Sequence, residues 1–488
     1  MGSPYLHMRT CKPTARASGQ ATRLDLAPGL LDAATAPRAT VKRLRSFKRA
    51  QVPALLTISV LAGSAQADPN GLTFIDRDRD RLQATIAADL GYFAQENSWF
   101  GASRENLGEP SGSWWEAAVT PGLEFDLGTD VAGTFFGRVS GAGGYTWNGI
   151  DAAGTNAELG GVTKWRWEDA FLGWRAEDPS GALGLDSLEL SAGRQKYQVG
   201  TGFLFWDQSS DGGDRGAYWV APRKAADFLG LVRFGRGDLT GDLVYLKADD
   251  NPDTGTRIAG TTLDYGLGDL GGLGGGVYRI VDSKIATRDG MNVFDLRFDL
   301  YPIAANPALR LEGEYAYQRN GDRQAASGGY LKLGYLFETA PWTPTLSYRF
   351  AYFQGDDPGT AKDENFDPLY YGFKDWGTWY PGEILGEYVL LNQNLLVHTL
   401  QAHASPASGW DLNLFYYDFR LDDPRGFDSG VRSKDFAREV DLTVDWSATD
   451  HLSFSSVGAV ALPGSAAEQY TGGSDDWWYL MLLASLRF

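Results

Sequence analysis

Apolar and polar residues alternate along most of this chain. In Val293–Tyr301, Phe294, Leu296, Phe298 and Leu300 alternate with Asp295, Arg297 and Asp299. In the next stretch Leu309, Leu311, Gly313, Tyr315 and Tyr317 alternate with Arg310, Glu312, Glu314 and Gln318. Leu346, Tyr348, Phe350 and Tyr352 alternate with Ser347 and Arg349, and Val440, Leu442, Val444 and Trp446 with Glu439, Asp441, Thr443 and Asp445. A period of two marks strands with one apolar face. Eighteen such stretches follow one another, near residues 82–95, 113–126, 131–147, 163–177, 186–198, 226–237, 239–248, 259–268, 272–283, 290–302, 308–320, 327–339, 343–355, 392–404, 410–422, 436–447, 451–463 and 476–488. Most run to about nine to fourteen residues, the length of a tilted strand that crosses a bilayer.

The connections sharpen this. After odd-numbered strands they are long and polar, as in 96–112, 149–162, 199–225, 354–391 and 423–435. After even-numbered strands they are short, as in Gly128-Thr129-Asp130, Gly237-Asp238, Asp269-Leu270-Gly271 and Ala340-Pro341-Trp342. Long extracellular loops and short periplasmic turns produce this asymmetry. The last stretch, Asp475–Phe488, puts Trp478, Leu480, Leu482, Ala484, Leu486 and Phe488 on one face. It resembles the closing strand of bacterial outer-membrane barrels. The expected fold is all-β: a transmembrane antiparallel β-barrel of about 18 strands over residues 82–488, in the bacterial outer membrane. A soluble sandwich with one wet face explains neither the loop asymmetry nor aromatic strand ends such as Trp114, Trp115, Trp477 and Trp478.

Residues 41–67 read as a secretory signal: Lys42, Arg43, Arg45, Lys48 and Arg49, then the apolar 52–63, then Ala65-Gln66-Ala67. Residues 1–40 fit no secretory pattern and read as a non-structural extension ahead of a start near Val41, and residues 68–81 as a polar periplasmic lead. Cys11, the one cysteine, falls in the extension, so a chain from Asp68 has no thiol for a disulfide, a thiolate metal site or cysteine catalysis. Such a chain keeps 34 of the 44 Lys and Arg and 60 of the 62 Asp and Glu, a formal charge of −26. That acidity argues against a nucleic-acid partner and suits a surface that meets divalent cations among lipopolysaccharide phosphates. Beyond residue 70 no apolar run is long enough for a spanning helix.

Charges of both signs occupy the inferred inner face: Arg138, Arg166, Glu168, Arg233, Arg297, Arg310, Lys332 and Arg349, with the acids named above. They are either mutual ion pairs that hold the barrel's shape or a selectivity ring that lowers the barrier to an anion. Catalysis finds no footing: neither Gly-x-Ser-x-Gly nor His-Glu-x-x-His occurs, and His398 and His403 fall on opposite faces of one strand. No cofactor or metal site is expected. The loop 354–391 combines Asp356, Asp357, Asp363, Glu364 and Asp367 with Tyr370, Tyr371, Phe373, Trp376, Trp379 and Tyr380. Aromatic faces stack on sugar rings and acids bond hydroxyls, so it reads as a lid over a carbohydrate path, or as a loop that packs on itself inside the barrel. The loop 199–225 is similarly rich, with Phe203, Phe205, Trp206, Asp207, Asp211, Asp214, Arg215, Tyr218 and Trp219.

Three segments resemble the alginate export family of outer-membrane barrels: WEDAFLGW at Trp167–Trp174, LELSAGRQ at Leu188–Gln195, and the stretch from Phe366 to Leu400. The resemblance implies an eighteen-stranded channel that passes an anionic exopolysaccharide passively through an arginine-rich constriction partly closed by loops. It places the family's Gly-Arg-Gln element on Gly193, Arg194 and Gln195, and the acidic position before it on Glu168 or Asp169. By strict alternation Arg194 falls on the lipid face, so either a bulge at Ala192-Gly193 re-aims it or it stands at the extracellular rim. Export of a polysaccharide such as alginate, with a periplasmic export scaffold as partner, is the leading expectation. Uptake of sugars or small anions is the alternative.

Overall fold

The computed structural model describes residues 72–488, except 78, 103–110, 130–132, 149–150, 153–163, 178–183, 207, 210–211, 304–305 and 373–380. The expected extension and signal segment lie outside the described residues, as do Asp207, Asp211, Phe373, Trp376, Trp379 and Tyr380. Nineteen strands are described: β1 (Leu72–Arg77), β2 (Asp80–Glu96), β3 (Gly112–Thr129), β4 (Gly133–Trp147), β5 (Lys164–Glu177), β6 (Ser187–Arg194), β7 (Phe228–Arg236), β8 (Leu239–Lys247), β9 (Arg257–Gly266), β10 (Gly271–Asp282), β11 (Asn292–Leu300), β12 (Leu309–Asn320), β13 (Gln324–Leu336), β14 (Thr345–Phe353), β15 (Leu395–Ala404), β16 (Trp410–Leu421), β17 (Asp435–Ser447), β18 (Leu452–Pro463) and β19 (Trp477–Arg487). From β2 to β19 each pairs antiparallel with the next, and β19 pairs back to β2. The result is a closed eighteen-stranded barrel, each strand overlying one of the eighteen stretches read from the pattern. Closure leaves no sheet edge in the membrane, which a spanning sheet requires.

Alternation sorts the side chains as expected. Phe294, Leu296, Tyr315, Leu346 and Leu442 are exposed on the outer face, while Asp295, Arg297, Glu312, Glu314, Arg349, Glu439 and Asp441 are buried on the inner one. Two consecutive tryptophans cannot both face lipid. Trp478 is 52 % exposed, whereas Trp114 and Trp477 are fully buried inside, so only one of each pair belongs to an outer aromatic belt.

One strand has no counterpart in the alternation. β1 turns back on β2, pairing Leu72 with Ala84 and Arg77 with Asp80. The same edge of β2 carries β19 over Ala87–Glu96, and Phe488 exchanges two backbone hydrogen bonds with Ile86. β1 therefore continues the seam beyond Phe488 and covers backbone groups of β2 that would stay unpaired there.

Candidate conduction site

Two loops turn inward and cross the lumen. The first joins β6 to β7 and the second joins β14 to β15. They are stitched to each other as a short backbone ribbon around a parallel bridge between Phe205 and Tyr370: Trp206 N–H donates to Tyr370 O (2.8 Å), Tyr370 N–H to Leu204 O (3.1 Å) and, beyond the bridge, Gly372 N–H to Gly202 O (3.0 Å). Around this ribbon is an aromatic core. Phe203 packs on Tyr330, Phe353 and Phe366 with ring centroids 5.8, 5.8 and 6.0 Å away, and Phe205 packs on Tyr278 at 4.7 Å. The loops meet again where Trp219 lies 5.4 Å from Tyr388.

Buried carboxylates of the wall hold both loops by their backbone. Glu116 of β3 accepts N–H bonds from Trp219 (2.7 Å) and Val220 (3.1 Å). Glu168 of β5 accepts from Lys224 (3.1 Å) and Ala225 (3.3 Å) and takes the buried Arg215 guanidinium at 2.7 Å. Glu439 of β17 accepts from Ile384 and Leu385, both at 2.8 Å, and Asp441 accepts from Glu383 at 3.1 Å. These last bonds seat the first turn of a fully buried π-helical segment, Gly382–Leu390. Gly382 has φ +82°, and a Cβ there would stand 2.7 Å from the Glu439 carboxylate, so the seat requires glycine. A carboxylate that satisfies two N–H groups is a strong, charge-assisted anchor. Asp367 adds a side-chain anchor: it takes a two-pronged bond from Arg288, and its backbone N–H donates to Gln318 (2.9 Å).

Nearer the periplasm the wall charges pair with one another. Arg233 bonds Asp242 at 2.8 and 2.9 Å. Arg310 bonds Asp299 at 2.7 and 2.8 Å and reaches Glu312 at 3.1 Å, where Lys332 also lies at 3.0 Å. Arg297 bonds Asp295, Asp264 (2.8 Å) and Thr262 (2.7 Å). Arg138 bonds Glu124 and lies 2.9 Å from Asp169, which Ser140 also contacts at 2.7 Å. Arg349 is buried on the same face, beside Lys332 in the ladder. Between these strands and the inner loop tip, Gly200 and Thr201, lies a cavity of about 390 Å³ bordered by Asp264, Arg297, Asp299, Arg310 and Glu314.

The structure thus brings Arg297, Arg310 and Lys332 together on one wall and sets Arg138 and Asp169 on another, with Arg233 apart from both. Arg166 is exposed, 4.0 Å from Asp214. Glu168 and Asp169 both turn inward because Ser140 pairs with Asp169 and Gly141 with Trp167, leaving Glu168 as the extra residue of a bulge. Arg194 follows Gly193, whose φ of +131° turns the chain at the extracellular end of β6. Its guanidinium donates to Trp167 O (2.8 Å) and pairs with Asp249 and Asp227, in a cluster that continues to Arg215. Gln195 is buried and bonds Ser191 and Leu229 O. Of the lid residues, Tyr370 and Tyr371 are buried inside the barrel, with Tyr370 Oη donating to Asp250 (3.1 Å). Asp356 accepts from Glu364 N–H within the loop, and Asp357 takes Arg425 of the connection between β16 and β17. The role of Glu116 is not readable from its strand, although its parity against Trp115 puts it inside.

Residues 282–476 match the alginate export family, which bears out the family read from the sequence; of the three segments that suggested it, the match covers the one from Phe366 to Leu400. No curated protein matches the chain. Among solved structures, Acinetobacter baumannii OccAB1 superposes with a TM-score of 0.53 at 12% identity, covering 87% of this chain and 99% of that one. Pseudomonas aeruginosa OccK5 (OpdH) gives 0.51 at 12% identity over 83% and 98%, and A. baumannii OccAB4 gives 0.51 at 9% over 86% and 100%. At such identities the likeness carries the barrel fold alone. Family match, closed barrel and apolar outer belt together make this an outer-membrane channel.

Proposed function

From an outer-membrane channel whose residues 282–476 match the alginate export family, we propose passive export of an exopolysaccharide, anionic in charge, past the two inward loops. The observation that carries this reading is where the match falls. It spans β11–β14, which hold Arg297, Arg310, Lys332 and Arg349, and the whole loop that ends in the Gly382–Leu390 segment. Wall and loop that together narrow the lumen are the part this chain shares with the family. No bond is made or broken; the barrel supplies a hole with a field in it. Rows of alternating guanidinium and carboxylate offer donors and acceptors to successive hydroxyls, and the cations give the passing polymer its counter-charge. A periplasmic scaffold would deliver the chain end to the lumen.

Uptake of sugars or small anions is the second reading, and the pairing itself favours it. Arg233, Arg297, Arg310 and Lys332 each lie against a carboxylate, which weakens the net field felt by a polyanion. Planar-bilayer recording of the purified protein separates the two. Export predicts an anion-selective current blocked by oligouronates; cation selectivity without block overturns it, and block by neutral oligosaccharides alone supports the second reading.

A further inference from the structure

Outside the lumen, the extracellular rim carries a group of cations unlike those within. Arg279 of β10 and Arg319 of β12 lie in one ladder row on either side of Asn292 of β11, and all three side chains take the outward parity of Val277, Phe294 and Tyr317. Both arginines are exposed. Arg279 donates to Asn292 Oδ1 at 3.1 Å. Arg323, in the turn after β12, reaches only the backbone of Ala286 in the adjoining loop. No carboxylate among the described residues stands within ion-pairing distance of the three. Neighbouring rim cations differ: Lys247 is paired with Asp227, Arg257 with Asp282 and Lys284 with Asp253.

What lies directly beneath is apolar. One row toward the membrane, about 7 Å along the strands, are Val277 (50 % exposed), Phe294 (46 %) and Tyr317; below those come Leu296 (61 %) and Tyr315 (52 %). The two arginines are two strands apart, about 10 Å between backbones. Two unpaired guanidiniums above a lipid-facing apolar patch form a site with a polar top and a greasy floor.

We propose that Arg279 and Arg319, with Arg323 above them, bind the phosphate of a phosphorylated glycolipid in the outer leaflet, whose acyl chains lie along Phe294, Leu296 and Tyr315. Guanidinium forks match phosphate oxygens in number and geometry. Local concentration decides the source of the phosphate: a free phosphate would be held by the exposed guanidiniums alone, whereas a lipid already held at this height by its acyl chains meets the arginines at high local concentration. The site is independent of the cargo and of the lumen.

The test uses the full barrel purified in mild detergent and native mass spectrometry with three probes: bisphosphorylated lipid A, the same lipid with its phosphates removed, and inorganic phosphate. The expected result is that the wild type prefers the phosphorylated lipid by tenfold or more, and that Arg279→Gln/Arg319→Gln lowers its affinity about tenfold or more. Single-channel conductance and heat-dependent gel migration should not change, showing an intact barrel. Equal affinity of wild type and variant overturns the site, and so does inorganic phosphate binding as tightly as the lipid. A variant that changes the number of barrels per particle while keeping its lipid would instead mark the patch as a contact between copies, which also overturns it.

Discussion

The extracellular and periplasmic halves of the lumen use the same residues for different ends. In the extracellular half the wall carboxylates Glu116, Glu168, Glu439 and Asp441 point at loop backbone and accept its N–H groups. In the periplasmic half Glu124, Asp242 and Asp299 point at wall arginines on adjacent strands. Both sets sit on the inner face by the same alternation; depth decides what each acid meets. Above, the inward loops bury the acids, which accept from amide N–H groups and from Arg215. Below, Arg233 and Arg310 are about half exposed, and the acids pair across the ladder. The upper acids therefore anchor the loop backbone, and the lower ones pair with the cations of the wall.

Glu168→Ala should break this contrast most. It removes two backbone anchors and leaves Arg215, 2 % exposed, with Asp249 at 3.6 Å as its ion-pair partner. Removing one partner of a buried ion pair costs up to about 3–5 kcal/mol, and amide exchange over residues 212–226 should rise accordingly. Glu439→Ala comes next. Losing two charge-assisted bonds to Ile384 and Leu385 costs about 2–4 kcal/mol, and protease cleavage within 382–394 should appear in the intact barrel. Arg310→Met in the lower half should cost at most about 1 kcal/mol, since both members of its pair with Asp299 are about half exposed and Glu312 keeps Lys332. Its loops should stay protected, and a loss of loop protection would erase the distinction between the halves.

The smallest effect concerns pH at the loop between β16 and β17. Asp423 is held below the usual carboxylate range, chiefly by the Arg425 side chain, which bonds it at 2.6 Å. A depressed folded value means that this stabilisation is fully present above the ordinary carboxylate value of about 3.9. It is lost as pH falls through the lower folded value. Exchange protection over 422–434 should hold from pH 8 to 5 and weaken only below about 4.

The barrel was legible because membrane strands repeat a strict alternation, and the loop asymmetry then fixed which ends face outward. Stretches such as Phe294–Leu300 and Val440–Trp446 could be sorted into lipid and lumen faces one residue at a time. β1 escaped because Leu72–Arg77 alternates poorly and pairs only where β2 runs past the end of β19. The ribbon between Leu204 and Tyr370 escaped for a different reason. Its bonds join backbone groups about 165 residues apart in sequence, which no local pattern records. The position of Arg194 was ambiguous in sequence because the answer hung on one backbone angle, at Gly193. The partner of each inner charge was likewise hidden, since alternation gives a face but not a neighbour. A glutamate near the extracellular end of a strand with inward parity, as at Glu116 and Glu439, is the one signal that could have pointed to the loop anchors.

Single-channel conductance of Glu116→Ala/Glu439→Ala against wild type in planar bilayers tests most directly whether wall carboxylates hold the two loops across the path. With one anchor removed from each loop, conductance should rise severalfold, with frequent large openings. A conductance and noise level equal to wild type, in a barrel shown to be folded, would mean that the loops stay in place without these acids and that the wall does not position them.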